Sequence, residues 1–103
     1  MIYTEPPRHM PRRARMVHEF LSVNAIYLLP SDKLARYRGL SDDGFEFWLV
    51  DPHRAEDLPS GQLALSYAMA GRATLAYSAQ AWRERHEHHQ RVKRWQDGEG
   101  AVI

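Results

Sequence analysis

The chain has no cysteine, so neither a disulfide framework nor a thiolate metal site is available to it. It also lacks any apolar run near the roughly 18 to 20 residues that span a bilayer, and its first residues lack the apolar stretch of a signal peptide. A soluble, cytoplasmic protein with no membrane span is the expectation. Lysine is nearly missing as well: twelve of the 14 basic residues are arginine, which suits forked, bidentate recognition of anions. Catalytic signatures are absent too. There is no Gly-x-Ser-x-Gly, no phosphate-loop pattern and no Gly-x-Gly-x-x-Gly, and the acidic residues are spread through turns, so the chain does not read as an enzyme.

What remains is one small domain of 103 residues, 44% apolar, able to bury a modest core. Its net charge is only +1, but the distribution is uneven. Arg8, Arg12, Arg13 and Arg15 crowd the first fifteen residues against Glu5 alone, whereas residues 31–60 are net acidic. With Pro6, Pro7 and Pro11 among them, residues 1–15 read as a basic, Pro-rich arm. A β domain is expected over 16–82, and a polar helix and tail over 83–103.

Period decides the second half. Leu63, Leu65, Tyr67, Met69, Leu75 and Tyr77 all occupy odd positions, with Ala or Ser at most even ones. Six such side chains share one face of a strand but scatter around a helix, so alternation outweighs the helix propensity of the alanines. The stretch is expected to fold back at Ala70-Gly71-Arg72, with Tyr67 opposite Leu75 and Leu65 opposite Tyr77. A helix-turn-helix centred on Gly71 is excluded by the same parity.

Earlier, Met16, Val17, Phe20 and Leu21 suit one helical face, and the β-rich run from Val23 to Leu29 predicts a strand ended by Pro30-Ser31-Asp32. Ser41-Asp42-Asp43-Gly44 separates Lys33–Leu40 from Phe45–Val50. A three-residue loop with Gly44 left-handed would set Tyr37 against Leu49, Gly39 against Phe47 and Arg38 against Trp48, the last pair free to stack. Residues 53–61 read as a polar loop closed by Leu58-Pro59-Ser60-Gly61. The expected fold is therefore mainly β (α+β): a small antiparallel β-barrel or sheet of about five strands with a C-terminal helical segment.

In that order of elements the chain resembles the PilZ domain family, small antiparallel barrels that bind the bacterial second messenger cyclic di-GMP. Arg8-His9-Met10-Pro11-Arg12, followed by Arg13, is similar to the family's Arg-x-x-x-Arg loop, and Ser41 and Gly44 match its Asp/Asn-x-Ser-x-x-Gly turn. Gly39 departs from that motif's first position. Leu58-Pro59-Ser60-Gly61, the odd-numbered stretch and Ala79-Gln80-Ala81-Trp82, taken as a strand end, extend the likeness over about residues 5–82. The resemblance implies a non-enzymatic cyclic di-GMP receptor or adaptor that signals through a protein partner. Arg8, Arg12, Arg13, Ser41 and Gly44 would hold the nucleotide, with no other cofactor and no metal.

Each of these residues also has a plainer reading. Arg8 to Arg15 suit a solvated arm or one that touches nucleic-acid phosphates, and Ser41 to Gly44 suit a simple hairpin turn. The alternative function is thus a small basic-armed interaction protein, a degenerate PilZ-like adaptor or a phage or mobile-element inhibitor, binding a protein or nucleic acid. His86 and His89 share a helical face, but without cysteine or a third nearby ligand they read as a solvated surface.

Overall fold

The computed structural model of the chain describes residues 3, 5, 8, 10–53 and 59–96. Its order of elements is α1 (Arg12–Phe20), β1 (Ile26–Leu28), β2 (Leu34–Ser41), β3 (Gly44–Val50), β4 (Pro59–Leu65), α2 (Tyr67–Ala70), β5 (Thr74–Tyr77) and α3 (Ala79–Arg94). The five strands form one antiparallel sheet in the order β4-β3-β2-β1-β5. This is the expected α+β architecture in its sheet form: β4 and β5 are edges, and the sheet is not closed into a barrel. Pro6, Pro7, His9, Leu58 and the tail from Asp97, which figured in the sequence reading, lie outside the described residues.

The main core lies on one face of the sheet. Tyr37 and Leu40 of β2, Phe45 and Phe47 of β3 and Tyr27 of β1 pack beneath Ala14 of α1 and Ala70 of α2. Tyr37 is wholly buried, and its hydroxyl lies 2.5 Å from His18 Nδ1. Burial pushes the Tyr37 phenol well above its ordinary 10, with Tyr27 adding to the rise. An unfolded tyrosine loses its proton near pH 10 while the folded one keeps it. The stability this proton confers is therefore full below pH 10 and is lost above it by about 1.4 kcal/mol per pH unit. Urea unfolding followed from about pH 9 to pH 11 is expected to show that decline, and Tyr37→Phe is expected to flatten it.

A smaller cluster occupies the opposite face, where Trp82 of α3 sits over Ile26 and Val50 with Leu34 and Tyr77 alongside. Ser78 caps α3, its Oγ accepting from Ala81 N at 3.1 Å, so Ala79–Trp82 is the first helical turn and not a strand end. Trp82 is the helix's one buried residue among those described, and Val92 and Trp95 remain exposed.

Four further expectations give way. The hairpin at Ala70-Gly71-Arg72 does not form: α2, capped by Ser66, carries the chain across the core face from the β4 edge to the β5 edge, and β5 pairs with β1. Leu63 and Leu65 do face Phe47 and Phe45, whereas Tyr67 and Met69 are exposed helical residues. In β5 the pairing of Tyr27 with Leu75 but Ile26 with Tyr77 leaves Ala76 as a bulge. Leu75 and Tyr77 are thereby sent to opposite faces.

The β2–β3 turn is tighter than a three-residue loop, because Ser41 pairs with Gly44 across Asp42-Asp43. Its register slips at Arg38, which bulges between the pairs Tyr37–Phe47 and Gly39–Glu46 while Gly39 adopts φ +123°. That slip delivers Leu40 to the core. It also lays the Arg38 guanidinium 4.5 Å over the Trp48 ring, so the expected stack forms in a different register. The expected loop over 53–61 ends sooner, for Pro59, Ser60 and Gly61 already belong to β4.

Finally, residues 12–15, expected within the arm, are helical. Arg12 to Arg15 open α1 without a side-chain cap and with no acidic residue in the first turn, and cations at that end oppose the helix dipole. Tertiary contact forms this helix against its local signals: Ala14, His18 and Leu21 are buried on one side of it.

Candidate functional site

The sequence-predicted site is only partly assembled. A backbone bridge joins Tyr3 to Leu40, N to O at 2.6 and 2.9 Å, and the Tyr3 hydroxyl donates to Asp42 Oδ1 at 3.5 Å. Tyr3 therefore lies beside the β2–β3 hairpin. Arg8 is exposed, and Arg12 and Arg13 are exposed on the first turn of α1. Among the described residues no hydrogen bond joins any of these arginines to Ser41 or Gly44.

The turn itself is occupied by its own structure. Ser41 Oγ donates to the Gly44 carbonyl at 3.2 Å. Gly44 has φ +143°, and a Cβ there would lie 2.3 Å from the Leu65 carbonyl oxygen. Ser41 is thus accounted for by the β2–β3 turn and Gly44 by packing of β3 against β4.

An apolar groove that the sequence did not mark as a site lies between α1, α2 and β5. It measures ≈ 590 Å³ and is lined by Met16, Val17, Phe20, Leu21, Tyr27, Tyr67 and Leu75, with Arg13 at its rim. Phe20 is 83% exposed and Leu75 58%, and Met16, Tyr67 and Met69 are exposed as well. A contiguous surface of large apolar groups is uncommon on a protein that works alone. Beside it β5 is an edge strand with no charged residue or proline between Thr74 and Tyr77, protected from pairing by its shortness and the bulge at Ala76.

Around the groove's helices basic residues outnumber acidic ones, although Glu19 of α1 is exposed beside Phe20. Arg12, Arg13 and Arg15 stand exposed on α1, and exposed Arg72 follows α2. The helical half of this groove was foreshadowed by the spacing of Met16, Val17, Phe20 and Leu21. Tyr67 and Leu75 were hidden in the odd-numbered row, whose parity runs across two kinds of structure.

No helix among the described residues is long and apolar enough to cross a membrane. Comparison with protein-family models, with curated proteins and with solved structures gives no match.

Proposed function

We propose that this protein is a non-enzymatic interaction domain that captures an apolar segment of a protein partner, flanked by acidic residues, in the groove between α1, α2 and β5. The observation that carries this reading is Phe20, a phenylalanine standing 83% exposed at the edge of a formed groove. Burying a side chain of that kind contributes about 1.5–3 kcal/mol, and aromatic anchors seated in pockets dominate many interfaces. Arg13 at the groove and the other exposed arginines of α1 favour acidic flanks on the partner and speed the encounter.

Photocrosslinking from position 20 in cells, followed by reconstitution of the captured protein from purified components, tests it. The expected result is a saturable complex that weakens as salt rises. Crosslinks confined to a second copy of the chain, or a captured protein that shows no saturable binding once purified, sink the proposal.

A second reading, in which the protein is a cyclic di-GMP receptor that signals through such a partner, is favoured by the Tyr3–Leu40 bridge, which holds Tyr3, a few positions ahead of Arg8, beside the strand that enters the Ser41–Gly44 turn. Calorimetric titration with cyclic di-GMP decides it. Micromolar binding abolished by Arg8→Ala and Arg12→Ala supports a receptor, and no heat at high ligand concentration leaves the contact protein alone.

A further inference from the structure

α3, which lies on the face of the sheet opposite the groove, outruns its own packing. After Trp82 none of its residues is buried, and Arg91 to Gln96, at its end and just past it, are exposed without exception. Six consecutive exposed residues cover more than a full turn, so this end of the helix meets solvent on every side. We infer that it is a contact for a single-stranded nucleic acid, with Trp95 stacking on a base and Arg91 and Arg94 meeting phosphates.

Packing does not explain the extension. Trp82 anchors the first turn, and a helix held at one end gains nothing from burial over the turns that follow. Cations near a helix C-terminus do complement its dipole, and Arg91, Lys93 and Arg94 have that local role. The dipole calls for no aromatic ring, yet Trp95 stands 64% exposed.

The helix sets these groups side by side. Trp95 keeps helical backbone angles, φ −58° and ψ −48°, and residues three or four apart share a face. His88, Arg91 and Trp95 therefore line up along one side, all exposed, with Arg94 flanking them. The two carboxylates of α3, Glu84 and Glu87, come before His88. The next ones in the chain, Asp97 and Glu99, lie outside the described residues.

The chemistry of this face selects its occupant. An arginine beside an exposed indole offers a cation to a phosphate and a flat π surface to a base, the combination that holds single strands. A membrane surface asks instead for an apolar stripe along the helix, and only Val92 accompanies Trp95 here. A duplex keeps its bases stacked on one another and presents none to Trp95. This contact is separate from the groove and stands whether or not the groove takes a partner.

Fluorescence anisotropy of labelled oligodeoxythymidylate and oligouridylate, titrated with the full chain at several sodium chloride concentrations, tests it. Saturable binding is expected, with log affinity falling linearly against log salt. Trp95→Ala is expected to lower affinity about tenfold or more at an unchanged salt slope, because it removes a stack and no charge. Arg91→Gln is expected to make the slope shallower by about 0.7, and Lys33→Gln, an equal charge change at the exposed β1–β2 turn, to leave it as it is. Tighter binding of oligouridylate assigns the face to RNA, and equal or tighter binding of oligodeoxythymidylate assigns it to single strands of either sugar; both support the contact. An affinity unmoved by Trp95→Ala, or equal slope changes in Arg91→Gln and Lys33→Gln, overturn it as general attraction to a basic helix. Absence of saturable binding at low salt overturns it too, as does binding to duplex DNA or anionic phospholipid vesicles as tight as to the single strands.

Discussion

Trp82→Ala is expected to lower the unfolding free energy by about 3–5 kcal/mol, a large share of the roughly 5–15 kcal/mol that holds a small domain together. Trp82 is 2% exposed and is the one described residue through which α3 enters a core. Its neighbours Ile26, Val50, Leu34 and Tyr77 form a small cluster, with the Tyr77 ring edge-on at 5.1 Å and the Arg85 guanidinium over both aromatic rings. All four of those neighbours sit on a hydrogen-bonded sheet and cannot move in to fill the space. Urea denaturation measures the loss, and far-ultraviolet circular dichroism is expected to show reduced helicity at the same time. A cost below about 1 kcal/mol would mean that α3 does not depend on this contact.

Gly44→Ala is expected to cost about 2–4 kcal/mol, more than a typical surface substitution. Two effects act together. The backbone sits at φ +143°, which side-chain-bearing residues rarely adopt, and the new methyl would meet the Leu65 carbonyl oxygen at 2.3 Å. That oxygen belongs to β4, and Leu65 is paired with Phe45, so relief requires the β3–β4 ladder to part. Gly61→Ala provides the comparison: its nearest neighbour would be Leu49 Cδ1 at 3.7 Å, an ordinary contact, and the effect is expected within about 0.5 kcal/mol. Equal effects at the two glycines would contradict the packing account. If Gly44 served a ligand alone, its replacement would leave stability unchanged.

These glycines show how sequence and structure differ here. Ser41-Asp42-Asp43-Gly44 was legible as a hairpin because turn chemistry is local. Its register was not, since the bulge at Arg38 depends on drawing Leu40 into the core, a tertiary demand with no local mark. The odd-numbered row was correctly strand-like at Leu63 to Leu65 and at Leu75 to Tyr77. A period, however, reports a face and not a partner, and β5 found β1 some fifty residues back instead of adjacent β4.

α1 was half visible for the converse reason. Its apolar spacing was plain, but Pro11 and the arginines that open it carry the signature of an arm, and only burial of Ala14, His18 and Leu21 overrides them. The far wall of the groove could not be grouped with α1 from sequence at all. Tyr67 and Leu75 lie more than forty positions from Phe20, and the fold alone makes them neighbours.

The groove account stands on Phe20. The affinity of the reconstituted partner for wild-type protein and for Phe20→Asp, read beside the thermal midpoint of each, tests it most directly. Phe20 is exposed, so the midpoint is expected to stay put while affinity falls by about thirtyfold or more. Unchanged affinity in a folded Phe20→Asp protein would contradict the groove as the docking surface.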